Sequence, residues 1–327
     1  MSVTIKDIAR AAGVSYSTVS KALRNSPLVK EPTRKHIKKI ADQLGYQPNA
    51  AARSLVSKKS HTIGIVWPTI ERAAHSSLIT SMNNRLEQLS YTSLISINEM
   101  EFAINVFNRY RVDAVLVFDD GSNQGLSPSK VPVVSYGIAE SSPFVPTVDV
   151  QRRKAIYLAA EYLHSIGHTK ISYFGVMDTP DVMQREKAKG FDLAVEKFKL
   201  EAFPTLHVPV SSLESYEGYL AAKKLMQQEV KPTAIISSSH DLTKGILRAF
   251  QELNVSVPED MSFISYDTIP EVNELEVPIS TVGVPLEIIT EKLTEALMDV
   301  VVEHDSKENI IYLEPGLSLR NSCKPFT

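Results

Sequence analysis

Tyr16, Ser17 and Lys21 stand at i, i+1 and i+5 in the stretch that begins "AGVSYSTVSKAL" at residue 11. Wound as a helix, this spacing puts a phenol, a hydroxyl and an ammonium on one outward side. Val14, Val19, Ala22 and Leu23 turn inward. The outward groups are short or flexible hydrogen-bonding side chains, suited to base edges and phosphates of duplex DNA. Thr4, Ser15, Thr18 and Ser20 add hydroxyls that fit phosphate contacts and helix capping. Thr18 serves equally well in a local backbone bond, and Asn25 either reaches a phosphate or closes the helix end. A second polar set follows apolar runs further along: Asp120 after "VLVFD", His240 and Asp241 after "IISSS", and Asp267 after "FISY". Groups released at the ends of buried strands are placed to hold hydroxyls or amines of a ligand. Asp241 also reads as the N-cap of a helix over 242–253.

Three short helices position the first set. "TIKDIARAA" opens on Thr4 as N-cap with Asp7 three residues on, and its stripe is Ile5, Ile8, Ala9 and Ala12. Gly13 permits a tight turn, Ser15 caps a helix from Tyr16 to Arg24, and "TRKHIKKIADQLGY" carries Ile37, Ile40, Ala41 and Leu44 at helical spacing before Gly45. Two helices across a glycine turn with a third behind them form a helix-turn-helix, whose second helix enters the major groove. Charge agrees. Residues 1–60 hold 12 Lys and Arg against 3 Asp and Glu, whereas the remaining residues hold 23 against 35. A basic head on an acidic body fits a polyanionic partner for the head.

Residues 47–60, "QPNAAARSLVSKKS", favour helix from Asn49 onward, but for only about two turns. So short a helix is marginal alone. Ordering by DNA and by a second copy of the chain is therefore expected. From residue 61 the pattern alternates. Strand "HTIGIVW" precedes helix 76–89, strand "TSLISI", helix 100–110 and strands "DAVLVF" and "VPVVSY". The pattern restarts after about residue 150 with helix 151–166, strand "KISYFGV", helices 183–199 and 214–228, strand "AIISSS", helix 241–253 and strand "SFISYD". Such alternation makes doubly wound parallel sheets, here in two lobes with a cleft between them. Helix 286–303 and "IIYLEPGLSL" are expected to complete the C-terminal lobe.

Other chemistries find little support. Cys323 is the single cysteine, which excludes an internal disulfide framework or a cysteine-based metal cluster. No nucleophile–base pairing and no "GxxxxGK[ST]" loop is evident, and "HSIGH" (His164 to His168) spans a helix end and makes a poor metal pair. His168 is expected to pack or bond locally. Neither catalysis nor a cofactor or metal is expected. With no run of about 20 apolar residues and a polar N-terminus, neither a membrane span nor a secretory signal is expected. That makes a cytoplasmic protein the expectation.

The run "VTIKDIARAAGVSYSTVSKALRN" resembles the start of lactose-repressor (LacI/GalR) family regulators, and the resemblance extends over essentially the whole chain. "LHSIGHTKISYFG", "KGF" at 189–191, "KPTAIISSSHD", "VPEDMSFISYD" and "LRNS" at 319–322 match family landmarks. The resemblance implies an α/β protein: a helix-turn-helix domain over 1–46, a hinge over 47–60 and a two-lobed, periplasmic-binding-protein-like domain over 61–327. It places Tyr16, Ser17 and Lys21 at base-reading positions. It makes "AARSL" a hinge helix, with Asn49, Ala52, Arg53 and Leu55 at the minor groove and Leu55 as the wedge. A wedge of that kind unstacks a base step, and paired hinges imply a homodimer on a palindromic operator. The alternative, a binding protein of the periplasmic type, leaves residues 1–60 unexplained.

Against the family pattern, Lys187 stands where an arginine is usual, with Arg185 two residues earlier. Ala74 and His75 stand where aromatics are frequent, Leu213 replaces a stacking aromatic, and Val284 a polar residue. Lysine lacks the two-pronged grip of arginine. With few stacking platforms and with Lys187, His75, His240 and Arg185 as cations, the expected effector, among sugars, sugar acids and phosphosugars, is one of the last two. His75, Asp120, Lys187, His240 and Asp267 are the expected effector contacts. Without a C-terminal leucine-heptad helix, a dimer rather than a tetramer is expected.

Overall fold

A computed structural model of the chain describes residues 3–46, 59–121, 129–141, 145–303 and 310–326. It divides into two compact units, Met1–Ser60 and His61–Thr327.

In the first unit, α1 (Ile5–Ala12), α2 (Tyr16–Leu23) and α3 (Glu31–Gln43) surround a small core of Ile8, Val19, Ala22, Val29, Ile37 and Ala41. The Asp7 carboxylate accepts from Thr4 N at 3.0 Å and Thr4 Oγ1 at 2.7 Å, fixing the start of α1. Gly13 closes α1 at φ 64°, a left-handed conformation that costs glycine little and turns the chain directly into α2. Ser15 Oγ accepts from Thr18 N at 3.2 Å and caps α2.

The second unit holds two six-stranded sheets. The N-terminal lobe is built from β1 (Thr62–Val66), α4 (Ala73–Gln88), β2 (Thr92–Ser96), α5 (Met100–Tyr110), β3 (Ala114–Asp119), β4 (Val133–Gly137) and β5 (Thr147–Asp149). The chain then crosses to α6 (Arg152–Ser165), β6 (Ile171–Gly175), α7 (Val182–Phe198), β7 (His207–Pro209), α8 (Ser215–Met226), β8 (Ala234–Ser237), α9 (His240–Glu252), β9 (Ser262–Tyr266) and β10 (Ser280–Gly283). It ends with α10 (Leu286–Glu303), β11 (Ile310–Tyr312) and β12 (Gly316–Ser318). The sheet orders are β11-β5-β4-β3-β1-β2 and β12-β10-β9-β8-β6-β7. Every pairing is parallel except β10 with β12. Strands such as "AVLVFD" are covered on both faces, which is why they read as unbroken apolar runs.

One expectation is corrected here. Helix α10 and β11 return to the N-terminal lobe, where Leu293, Leu297 and Val300 share a core with Ile65, Leu78 and Val134, and β11 pairs with β5. Only β12 goes back to the second sheet. Three strands of chain therefore join the lobes: after β5, after β10 and after β11. The apolar stripe of α10 shows that the helix is buried, but its spacing does not say against which sheet.

Candidate functional site

The first unit presents the outward face of α2. Tyr16 is 54% exposed, and Ser17 and Lys21 are exposed beside it, while Val19 and Ala22 of the same helix are fully buried. Several neighbouring hydroxyls are engaged locally. Ser15 Oγ lies 2.9 Å from Ser17 Oγ and 2.8 Å from Thr18 Oγ1. Ser20 Oγ accepts from Arg24 Nη2 at 3.1 Å. Thr4 is tied to Asp7. Asn25 takes φ 56° just past α2, a conformation asparagine tolerates, and its carbonyl accepts from Arg34 Nη1 at 3.4 Å. Asn49, Ala52, Arg53 and Leu55 lie outside the described residues.

The second unit has a cleft between its lobes, at the carboxyl ends of the parallel strands. Its free space, open mouth included, is about 660 Å³. Trp67, just beyond β1, and Phe118 of β3 pack at 5.1 Å between ring centroids, and Trp67 stacks on Tyr136 of β4 at 6.0 Å with 8° between planes. All three line the cleft. The aromatic surface missing from positions 74, 75 and 213 is thus supplied by the strand ends. These residues look like ordinary core in the sequence because each sits in an apolar run; only the sheet order brings them to one wall.

Lys187 and Asp267 line the same cleft, as do Arg72 and Arg152, which the sequence reading passed over. Lys187 is 3% exposed; its Nζ donates to the Ser238 carbonyl at 2.8 Å and lies 3.7 Å from the centre of the Tyr266 ring. Burial is the main cause that brings its pKa down to about 7. Asp267 and Asp181 oppose the fall, while Arg72 and Arg152 add to it. Arg152 is 4% exposed, donates from Nη1 to the Gly137 carbonyl at 3.2 Å, and lies 3.8 Å from Asp149. Asp267 Oδ2 accepts from His240 N at 3.0 Å, and the residue holds φ 82°.

The other expected contacts are placed differently. His75 lines the cleft, but burial first and Arg72 second bring its pKa down to about 3. It is neutral at pH 7, and the reading of it as a cation is corrected. Asp120 and His240 are not among the cleft-lining residues. The Asp120 carbonyl accepts from Val182 N at 2.8 Å, at the first residue of α7 in the other lobe, and His240 is buried at the start of α9. Arg185 turns to the Thr179 and Pro180 carbonyls, both at 2.8 Å. The cap of α9 is Ser239, whose Oγ accepts from Leu242 N at 3.2 Å, not Asp241. Asp241 instead reaches the other lobe. Its Oδ2 accepts from Ala73 N at 3.3 Å and lies 3.9 Å from Arg72 Nε. Ser77 of α4 donates to Glu271 in a second contact between lobes. His168 is buried and bonds not locally but to groups far along the chain, with Nδ1 2.8 Å from Thr233 Oγ1 and Nε2 3.0 Å from the Lys324 carbonyl.

Comparison with known proteins decides the family. Residues 4–49 match the model of bacterial regulatory proteins of the lacI family, and residues 160–323 match a periplasmic binding protein-like domain. The chain belongs to the lacI family of bacterial regulatory proteins. As a lacI-family member it is a transcriptional regulator and not an enzyme. It is 27% identical to catabolite control protein A of Priestia megaterium over 99% of this chain and 100% of that protein. It is 28% identical to the probable HTH-type transcriptional repressor ExuR of Bacillus subtilis (strain 168), over 99% of each. The lac repressor dimer bound to operator and the anti-inducer ONPF superposes with a TM-score of 0.84 at 20% identity, over 99% of this chain and 100% of that one. That likeness establishes the fold. Among the described residues no helix is long and apolar enough to cross a membrane.

Proposed function

We propose that this lacI-family regulator is a repressor that works in the cytoplasm as a homodimer on a palindromic operator and answers a small-molecule effector. In this reading residues 1–46 are the DNA-binding domain, 47–60 the hinge, and 61–327 the effector-binding and dimerisation domain. The observation that carries it is the exposed Tyr16–Ser17–Lys21 face on the second helix of a strongly basic head. Tyr16, Ser17 and Lys21 read base edges. Thr4, Ser15, Thr18, Ser20 and Asn25 hold the backbone, several of them through the caps that orient α2. Asn49, Ala52, Arg53 and Leu55 act at the minor groove.

The dimer reading is supported by the apolar side chains Ile95, Ile97 and Phe102, each about half exposed or more at the β2 edge and the start of α5. Regulation then follows from linkage. A ligand that prefers one arrangement of the lobes shifts operator affinity by that preference and no more. The relatives support both halves: the lac repressor structure holds operator and anti-inducer, and a CelR structure holds cellobiose. A carbohydrate-related effector and regulon are proposed on the same ground.

Deleting residues 1–60 tests the reading. The truncated body is expected to stay folded by circular dichroism while specific operator binding disappears in a gel-shift assay. Specific binding retained by the body alone would assign DNA recognition elsewhere.

A further inference from the structure

The inference rests on the effector reading and narrows it. Buried charges are normally paired, because an uncompensated ion is costly away from water. In the cleft wall Arg152 has Asp149 at 3.8 Å and Arg72 has Asp241 at 3.9 Å. Lys187 has no carboxylate within ion-pair distance among the described residues. Its ammonium contacts the Ser238 carbonyl and the face of Tyr266. Asp267, only partly buried, is the complementary case: it takes a main-chain N–H from His240 and has no basic side chain in ion-pair contact among the described residues. Two further cleft groups are buried without a hydrogen-bond partner among the described residues, the indole Nε1 of Trp67, a donor, and Oε1 of Gln184, an acceptor.

We propose that the effector is a small hydroxylated carboxylate, its carboxylate held by Lys187 with Arg152 nearby and its hydroxyls by Asp267 and Gln184. One cation without a counter-ion calls for one negative charge, which favours a carboxylate over a phosphate dianion. A carboxylate of this chain at the far side calls for donors, which hydroxyls supply. The Trp67, Phe118 and Tyr136 wall gives the carbon face of such a molecule an apolar surface. Trp67 Nε1 and the Arg72 Nε, which also lacks a hydrogen-bond partner, are left for its remaining acceptors. Lys187, Trp67 and Gln184 are then the residues that set specificity.

A pH signature follows from the charges around Lys187, namely Asp267, Asp181, Arg72 and Arg152, with His75 neutral beside them. Only the ammonium form holds the anion, so binding takes up a proton near and above pH 7 and weakens as Lys187 discharges.

The test is isothermal titration of the full chain with hexuronates and aldonates, set against D-glucose, D-galactose, D-glucose 6-phosphate and L-glutamate. A uronate or aldonate is expected to bind, with Kd rising about tenfold between pH 7 and pH 8.5. Lys187→Met is expected to weaken it by about tenfold or more while raising the melting temperature, because an uncompensated buried charge is removed. Lys187→Arg is expected to retain binding and flatten the pH profile. Preference for a neutral sugar, the phosphate ester or the amino acid would overturn the proposal and leave the effector reading standing. Unchanged affinity in Lys187→Met would also overturn it. Absence of binding by every uronate and aldonate would overturn it as well, while the effector reading is tested separately by any ligand that shifts operator affinity.

Discussion

At the scale of single residues, the two working surfaces use opposite physics. Tyr16, Ser17 and Lys21 are exposed and pay little in the free protein for being polar. Lys187 and Arg152 are buried and Asp267 is partly buried, and each is held by a specific neighbour: a carbonyl and a ring face for Lys187, a main-chain N–H for Asp267, a carbonyl and Asp149 for Arg152. Removing a DNA-facing side chain should therefore leave stability unchanged and alter recognition alone. Lys21→Ala is expected to relax the preference at particular base pairs by about 1–3 kcal/mol without moving the melting temperature. Competition binding across operator variants measures this. A uniform loss on all sequences, with a salt slope shallower by about one, would make Lys21 a phosphate contact instead.

At the scale of elements, close helix crossings set the shape of the C-terminal lobe. Gly245 lies where α9 crosses α8, and a Cβ there would fall 1.7 Å from the Ser215 carbonyl oxygen. Gly190 plays the same part between α7 and α6, where a Cβ would meet the Arg153 carbonyl at 2.1 Å. The second of these explains the glycine of "KGF": it lets α7 lie close enough to hold Lys187 in the cleft wall. Gly245→Ala is expected to cost about 1–3 kcal/mol, or more if α8 cannot shift, since the clash is with backbone. Urea denaturation of the body measures it, and a change under 0.5 kcal/mol, the ordinary scatter of surface substitutions, would mean the helices slide apart freely.

At the scale of the whole body, the lobes are joined by three chain crossings and by contacts at the cleft edge. Asp241 binds the free N–H of Ala73 at the start of α4 and pairs loosely with Arg72, and Glu271 accepts from Ser77. Burial, and after it Asp267, raises the Asp241 pKa, so this contact is weaker than its geometry alone suggests. Loss of the contact should free the first turn of α4. Asp241→Ala is expected to speed hydrogen exchange at Ala73 about fivefold, the equivalent of about 1 kcal/mol for one hydrogen bond. An unchanged exchange rate would show that the Asp241 carboxylate does not hold the first turn of α4.

Much of this was legible from residue order. The helical stripes, Gly13, the Ser15 cap and the exposed trio on α2 follow from local rules, since every partner lies within a few positions. The alternation of strands and helices likewise gives two doubly wound lobes, because buried parallel strands must be apolar on both faces. Strand ends also point to Asp267, while Lys187 drew notice through its departure from the family pattern.

Local order was silent on what depends on neighbours far along the chain. The lobe that α10 joins, the aromatic wall of Trp67, Phe118 and Tyr136, and the cleft positions of Arg72 and Arg152 all depend on sheet order. Asp241 shows the limit most simply. A carboxylate near a helix start reads as a cap, yet Ser239 already occupies that role, and the leftover carboxylate turns to the other lobe. Sequence alone therefore determined the kinds of element and the outward face of the head, through short-range steric and hydrogen-bonding preferences. Tertiary structure decided which charges meet in the cleft and which lack a partner, because burial and pairing are set by groups that only folding brings within a few ångströms.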